Sequence, residues 1–571
     1  MNPNAHRPLR RYGGVLRGVR LPWLLILFSF FCSVVMMLLE LRVATLTADI
    51  IDASQKAING QKLLPYVVMT ALTAVFTILN NYFTRKMEET ITLRVRAKLW
   101  RRIMRLPTRY YDEDNGDELV SRVTSDAEAP ASLFSMAVSF VTCVVTSVRG
   151  FAGLFEKNAM LARYSLLILP LTLGVCVLYG KLMFRLGVYS TVTTAESLGY
   201  LAERVRNFRL IKSAVAERAE GQRGDGAFRR MYRADFLSWL MVAGYQLASG
   251  IFSIFFLFLV FVVGGRLVPK GILTVGDLTS FYLISGIVSL QLMQFFMNVG
   301  SVSGTFGTMK KIAEILDTPT ECDAGESAPP VRGELSLERV CFAYGDGPDV
   351  LRDLSLRIPA GKVTAVLGGN GAGKSTLFKL LARLYEPRSG EIRLDGRRIS
   401  EFSLPQWRSR FAYVFQRDPL IGGTVRENLT YGLDRPVSDE ELAAVTKQAN
   451  CYECIMEKPN GFDEDVGQDG SSFSGGQGQC IAIARAMLRN ADCLLLDEAT
   501  GSLDATSQAR VTEALERLTK GRTTLMIAHS YAATRCADHI VVMKDGAVEA
   551  AGTPDELRKT SEFYRLFAKT L

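Results

Sequence analysis

Long apolar runs and charged stretches alternate along the N-terminal half of the chain. Six of the runs are long enough to cross a hydrocarbon core of about 30 Å as helices that rise about 1.5 Å per residue. The pattern therefore predicts six membrane-spanning helices. They cover residues 21–39, 63–83, 131–148, 166–184, 239–263 and 278–299.

Two charged stretches, 85–128 and 185–233, follow the second and the fourth of these runs. Within the first stretch, apolar residues recur at helical spacing, at Ile91, Val95 and Leu99. This periodicity predicts helices that continue well beyond the membrane on that side, and short connections on the other side. The third and fourth spans are then joined by a loop that holds Gly150, Glu156, Lys157 and Asn158.

The chain carries a formal net charge of +9, and residues 1–325 contribute more than the whole surplus. A basic segment precedes the first span, and basic residues that flank a span favour its cytoplasmic side. The distribution favours a cell-membrane protein, with the soluble domain in the cytoplasm, over a nucleic-acid-binding protein. The ten cysteines are scattered through the chain, so we expect free thiols and no disulfide framework.

Three charged residues, Glu40, Arg42 and Arg149, lie within or at the ends of predicted spans. Ionisable residues inside a membrane commonly line a polar cavity. They also occur at the outer interface, where long side chains reach water. The sequence leaves both interpretations open.

Prolines and acidic residues concentrate in 318–332, which predicts a linker. Beyond it, short apolar runs alternate with helical patterns, as in an α/β fold. We therefore predict an α-helical membrane domain at 1–325 and an α/β P-loop domain at 326–571. The strand-like runs are 335–340, 363–367, 411–414, 493–496, 524–528 and 540–543.

A phosphate-binding loop directly follows the run 363–367. Residues 368–376 read G-G-N-G-A-G-K-S-T and fit the pattern G-x-x-x-x-G-K-[ST]. Glycines let backbone N–H groups point at phosphate oxygens, and the next helix adds the partial positive charge of its N-terminus. Lys374 is predicted to neutralise phosphate oxygens, and Ser375 to ligate Mg²⁺.

Two adjacent carboxylates, Asp497 and Glu498, end the apolar run 493–496. Neighbouring strand residues point to opposite faces, so the pair can divide two roles. We expect Asp497 to hold Mg²⁺ and Glu498 to orient or deprotonate the attacking water. His529 and Gln416 also follow strands, where ligands of α/β sheets bind. His529 is predicted to contact the γ-phosphate or the water, and Gln416 to reach Mg²⁺ and the water.

The residues Ser474, Gly475, Gly476 and Gln477 precede a further helical pattern. In isolation this stretch is typical of a simple capped helix. It is also a second anion-binding helix terminus, although one phosphate needs only one. We expect it to close on ATP held by another subunit of a dimer.

In this order, the phosphate loop, Gln416, S-G-G-Q, Asp497-Glu498 and His529 resemble the nucleotide-binding domain of ABC transporters. The six spans with two long inner extensions resemble the membrane domain of exporter-type members, so the resemblance covers essentially the whole chain. It implies that segments 111–122 and 207–212 couple the two domains. It also implies these nucleotide contacts: Tyr344, which stacks on adenine, and Gly368, Asn370, Gly371, Ala372, Gly373, Lys374, Ser375, Thr376, Ser474, Gly475, Gly476, Gln477 and Asp504.

Five positions depart from the common family pattern, and two of them, Gln468 and Asp469, alter the segment before S-G-G-Q. Gly478 and Cys480 replace basic residues often found after S-G-G-Q, and Gly501 replaces a usual serine. None of them removes a catalytic group.

The resemblance implies a half-transporter that binds ATP and Mg²⁺ and exports a small molecule, lipid or peptide by alternating access. A homodimer is expected, with a heterodimer of two half-transporters as the alternative. Two other functions stay open: import of a siderophore-like ligand through the same fold, and an ATP-gated channel or regulator.

Overall fold

The structure is a computed structural model, and it describes residues 14–54, 60–113, 116–331, 333–415, 420–467, 470–497, 505–528, 534 and 536–568. These residues divide into two compact units. One comprises the described parts of Met1–Met104 and Asn115–Thr318, and the other those of Arg105–Asp114 and Pro319–Leu571.

Every regular element described before residue 318 is a helix. Helix α3 belongs to the second unit, and a 3₁₀ turn at Asp126–Glu128 precedes α5. The helices are α1 (Trp23–Ser54), α2 (Gly60–Ile103), α3 (Thr108–Glu113), α4 (Gly116–Thr124), α5 (Ala129–Lys157), α6 (Ala159–Arg206), α7 (Phe208–Ser213), α8 (Glu217–Leu267) and α9 (Val275–Asp317).

Five of the six predicted spans lie inside one long helix each, among α2, α5, α6, α8 and α9, and the first span, 21–39, lies in α1 from Trp23 onward. Within the described residues, four segments are long and apolar enough to cross a bilayer. The prediction of a helical membrane domain is confirmed, and the number of six crossings stays a prediction. The four segments are Trp23–Ala53, Leu63–Ile103, Glu118–Lys157 and Val275–Asp317.

Helix α2 continues far beyond the length that a bilayer requires. Its 44 residues correspond to about 66 Å at 1.5 Å per residue. The periodic residues Ile91, Val95 and Leu99 are all buried on one face of it. The predicted extension of this helix past the membrane run is therefore observed.

The loop predicted between the third and fourth spans is wrong. Gly150, Glu156 and Lys157 belong to α5, and only Asn158 separates α5 from α6. Asn158 has an extended backbone, and its side-chain oxygen accepts hydrogen bonds from the N–H groups of Met160 and Leu161, both at 3.0 Å. This cap starts α6 at once and makes a longer loop unnecessary.

The second unit contains two sheets. Four strands form an antiparallel sheet in the order β2-β1-β4-β5, and six form a sheet in the order β10-β9-β3-β8-β7-β6. In the second sheet, only β10 pairs antiparallel. The strands are β1 (Leu335–Phe342), β2 (Leu351–Ile358), β3 (Val363–Gly368), β4 (Ser389–Leu394), β5 (Arg397–Arg398), β6 (Phe411–Val414), β7 (Cys493–Asp497), β8 (Thr523–Ile527), β9 (His539–Lys544) and β10 (Ala547–Gly552).

All six strand-like runs are confirmed as strands, and helices pack on both faces of the parallel sheet. Central strand β3 is buried along its length up to Leu367, which explains its continuous apolar sequence. The helices are α10 (Lys374–Leu381), α11 (Leu404–Ser409), α12 (Val425–Leu429), α13 (Asp439–Gln448), α14 (Tyr452–Met456), α15 (Gly475–Arg489), α16 (Ala505–Thr519), α17 (Pro554–Thr560) and α18 (Glu562–Ala568).

Candidate functional site

The carboxyl ends of four parallel strands lie along one edge of the larger sheet. In its register, Ile527 of β8 stands opposite Val366 of β3 on one side and Asp497 of β7 on the other. Leu496 of β7 pairs with Val414 of β6. Ligands of parallel α/β sheets bind at this edge. The register therefore places the phosphate loop after β3 and the Asp497 carboxylate at the same edge of the sheet, the one formed by the carboxyl ends of the strands.

The phosphate loop joins β3 to α10 through backbone conformations that favour glycine. Gly368 and Gly373 have φ angles of +152° and +96°. A Cβ on Gly368 would lie 2.3 Å from the Met543 carbonyl oxygen. The Lys374 Nζ donates hydrogen bonds to the carbonyl oxygens of Gly368 and Gly369 at 2.8 and 3.0 Å. The loop thus holds an ammonium group at a helix N-terminus, an arrangement suited to phosphate.

The remaining residues of the loop divide into an exposed and a buried set. Asn370, Gly371 and Ser375 are exposed, whereas Ala372 and Thr376 are buried. The Ser375 hydroxyl therefore faces solvent in the first turn of α10. It and the Asp497 carboxylate at the end of β7 are oxygen donors of the kind that Mg²⁺ prefers.

Tyr344 belongs to an aromatic cluster beside the phosphate loop. Its ring packs edge-on against Phe342 and Tyr385, with centroids 4.9 and 5.3 Å apart. The Tyr344 hydroxyl lies 3.2 Å from the Thr376 hydroxyl, which ties the ring to α10. The Lys379 ammonium lies 5.1 Å from the ring centroid. Tyr344 remains 36% exposed, so part of its ring is open to a ligand.

The segment 474–477 forms a complete capping box at the start of α15. Gln477 N–H donates to the Ser474 hydroxyl at 3.3 Å, and Ser474 N–H donates to the Gln477 side-chain oxygen at 2.9 Å. Ser474 and Gly475 are exposed, and Gly476 is buried. This helix terminus is rigidly held and open to solvent, which suits an anion brought from outside the chain.

Two residues that the sequence analysis did not single out, Gln479 and Lys458, support this terminus, and Cys480, noted there as a departure from the family pattern, lies behind it. Gln479 is 6% exposed and donates to the Phe415 carbonyl oxygen at 3.1 Å. Lys458 donates to the Ser472 carbonyl oxygen at 2.9 Å. Burial raises the pKa of the Cys480 thiol to about 12, so Cys480 is a neutral packing residue behind the motif. No motif spacing marks any of these contacts in the sequence.

Four predicted site residues lie outside the described residues: Gln416, Glu498, Asp504 and His529. Their chain neighbours are described. Phe415 follows β6, Asp497 ends β7 and Ala528 follows β8.

Comparison with known families assigns both parts of the chain. Residues 23–303 match the family described as "ABC transporter transmembrane region", and residues 351–501 match the one described as "ABC transporter". A mitochondrial potassium channel ATP-binding subunit from Pongo abelii is 33% identical over 88% of this chain and 70% of its own. The chain belongs to the ABC transporter family.

Relatives of this ABC transporter also occur in bacteria. A multidrug resistance ABC transporter ATP-binding and permease protein from Lactococcus lactis subsp. lactis is 29% identical over 97% of this chain and 95% of its own. An ATP-dependent lipid A-core flippase from Alkalilimnicola ehrlichii is 32% identical over 85% and 82%. A solved bacterial Atm1-family ABC exporter with ATP bound shares the fold, with a TM-score of 0.79, 22% identity and coverage of 99% and 98%.

The predicted family and fold class are confirmed by these findings. The chain is a multi-pass membrane ABC transporter of the exporter-type half-transporter architecture, in which an ATPase domain binds nucleotide and couples its hydrolysis to transport.

Proposed function

We propose that this ABC transporter exports a hydrophobic or amphipathic substrate as a dimer of identical chains. One observation carries the proposal: the same chain holds the buried Lys374 in its phosphate loop and the exposed Ser474 cap, which suit the two sides of an ATP sandwich. Two copies facing each other would complete two such sandwiches. The names of the bacterial relatives, a multidrug transporter and a lipid A-core flippase, support an amphipathic cargo.

The proposed roles follow the chemistry of each group. Lys374 binds phosphate oxygens, Tyr344 packs on adenine, and Ser474 to Gln477 bind the phosphates of the partner's nucleotide. Ser375, Gln416 and Asp497 would hold Mg²⁺, which, when bound, neutralises charge on the transferred phosphoryl group. Glu498 orients the attacking water, and His529 contacts the γ-phosphate. Asp504 completes the nucleotide contacts.

The proposal includes the arrangement in the membrane. Residues 1–325 form the transmembrane domain with six crossings, and residues 326–571 form the ATPase domain on the cytoplasmic side of the cell membrane. ATP binding favours the closed dimer, and this bias opens the cavity outward, because a ligand shifts an equilibrium toward the state that it binds better.

The first experiment measures ATP hydrolysis by the purified chain alone in lipid nanodiscs. The wild type is expected to hydrolyse ATP, and Glu498→Gln to bind ATP without turnover. Glu513→Gln, which changes an exposed carboxylate paired with Arg517 on α16, is the matched control and keeps wild-type turnover. No hydrolysis by a folded wild type that binds ATP would exclude the homodimer and indicate a second subunit.

A second candidate, the ATP-binding regulator of a channel, is favoured by the 33% identity to the mitochondrial potassium channel ATP-binding subunit. Proteoliposomes distinguish the two functions. A pump accumulates substrate against its gradient only while ATP is hydrolysed. A channel regulator changes a passive ion flux, and does so in Glu498→Gln as well.

A further inference from the structure

The membrane unit contains a cavity of about 490 Å³ between α1, α2 and α9. Its volume lies in the range of small-molecule sites, about 300 to 1,000 Å³. Leu283 and Ile287 of α9 supply apolar surface, Tyr66 of α2 supplies an aromatic ring, and Glu40 of α1 supplies a carboxylate. The cavity is mainly apolar and carries one carboxylate.

Glu40 has no partner among the residues that the structure describes. Its side chain is half-buried and lies inside the segment Trp23–Ala53, which is apolar and long enough to cross a bilayer. Arg42 is close in sequence but stands about 200° further around the helix; it is exposed, and it does not line the cavity. A membrane carboxylate without a cation is costly, and such residues commonly serve a function.

The four threonine hydroxyl groups around the cavity are oriented as acceptors. Thr47, Thr70, Thr73 and Thr77 all line it, and each donates its hydroxyl hydrogen to a backbone carbonyl of its own helix, at 2.8 to 2.9 Å. Their oxygens retain lone pairs, whereas their hydrogens are engaged. The lining therefore presents to a ligand the negative charge of the Glu40 carboxylate and the negative ends of the threonine hydroxyl dipoles.

We propose that this cavity binds lipophilic organic cations, with Glu40 as the counter-charge. The positive group pairs with the carboxylate, the apolar body packs on Leu283 and Ile287, and the Tyr66 ring adds a cation–π contact. An anion of the same size is repelled by the same lining. This inference rests on the proposed export function for its physiological meaning, and it assigns the substrate class.

The test compares two ions of nearly equal size and shape and opposite charge, tetraphenylphosphonium and tetraphenylborate. Binding of each to the full chain in phosphatidylcholine nanodiscs is measured by equilibrium dialysis without ATP, and partition into protein-free nanodiscs is subtracted. We expect saturable binding of tetraphenylphosphonium and none of tetraphenylborate. Equal affinity for both ions, or no saturable binding of the cation, overturns the proposal.

Three variants locate the charge that is recognised. Glu40→Gln is expected to weaken tetraphenylphosphonium binding by about tenfold or more, whereas Glu40→Asp keeps most of the affinity. Glu156→Gln removes another carboxylate of the membrane unit, an exposed one paired with Arg149 at 2.9 Å, and should bind as the wild type does. Equal affinity in Glu40→Gln and wild type excludes Glu40 as the counter-charge.

Two features keep the outcome interpretable. If Glu40→Gln does not fold, the comparison of the two ions on the wild type still decides whether the cavity selects positive charge. Since the measurement needs no ATP, cation binding with no ATP hydrolysis would contradict the pump and leave the site intact. ATP-driven activity without cation binding would contradict only the site.

Discussion

The Tyr385 hydroxyl donates a hydrogen bond to the Asp112 carboxylate. Tyr385 also packs against Tyr344, and the Lys379 ammonium lies 3.8 Å from Asp112 and 5.1 Å from the Tyr344 ring centroid. Asp112 belongs to α3, the short helix that follows α2 in the chain. The Tyr385 side chain therefore connects α3 to the Tyr344 ring, on which adenine is expected to stack.

This contact leads to a prediction about coupling. Tyr385→Phe removes the donor of this hydrogen bond and Asp112→Ala removes its acceptor, and each should reduce the stimulation of ATP hydrolysis by tetraphenylphosphonium or another transported substrate. Because the hydrogen bond is lost in both variants and Asp112→Ala also removes the contact with Lys379, the double variant should lose no more than Asp112→Ala alone. Stimulated and basal ATP hydrolysis in nanodiscs measure the effect. Additive losses would show that the two residues act separately.

A second prediction concerns the buried ammonium group of the phosphate loop. Lys374→Met keeps the aliphatic stem and removes the charge, so ATP affinity should fall by about tenfold or more. The matched control is Lys362→Met, which should bind ATP normally. Lys362 is an exposed lysine that directly precedes β3 and pairs with Asp538. Equilibrium binding of a fluorescent ATP analogue measures both. Unchanged affinity in Lys374→Met would remove the lysine from the nucleotide site.

The parts of the fold that the sequence predicts are those governed by local pattern. The run 363–367 reads as a strand because both of its faces are buried, and Ile91, Val95 and Leu99 mark one helical face because all three are buried. The prediction of a loop between α5 and α6 failed because polar residues occur both at helix ends and in loops. The cap formed by Asn158 makes this stretch a helix boundary and not a loop.

The contacts that the sequence could not predict join residues far apart in the chain. Gln479 with Phe415, and Tyr385 with Asp112, carry no spacing or motif, since each pair depends on how separate elements pack. The Glu40 cavity shows the same limit. The sequence left a cavity and an interface as equal alternatives for this carboxylate, and the arrangement of α1, α2 and α9 places it on a cavity.

A third prediction tests the contact between Gln479 and Phe415. Gln479→Leu keeps a similar volume and leaves the Phe415 carbonyl oxygen without this donor, which should cost about 1 to 3 kcal/mol of stability. ATP turnover should also fall, because Phe415 directly precedes Gln416. Gln448→Leu, at an exposed position on α13, is the control. Thermal unfolding in detergent and ATP hydrolysis measure the two effects, and a stable, fully active Gln479→Leu would contradict this role.

The cysteines give a prediction about pH. Burial raises the pKa of Cys480 to about 12, and the thiolate is the reactive form. Between pH 7 and 9, Cys480 should therefore stay a neutral, shielded thiol that N-ethylmaleimide labels only after denaturation. Cys322 is exposed and should react readily in the folded protein. Peptide mass spectrometry after timed labelling measures both rates, and labelling of folded Cys480 as fast as Cys322 would contradict its burial.

The last prediction separates the structural and the proposed catalytic roles of the cap before α15. Ser474 and Ser438 are matched, because each hydroxyl accepts a hydrogen bond at 3.3 Å from the N–H three residues later, Gln477 in one case and Glu441 in the other. Ser474→Ala and Ser438→Ala should each lower stability by about 1 kcal/mol, as loss of a helix cap does. Only Ser474→Ala should also lower ATP turnover, because only that terminus is proposed to meet the partner's phosphates. Equal turnover in the two variants, at equal loss of thermal stability, would leave Ser474 with the role of a cap alone and would remove the main support for the two-chain sandwich.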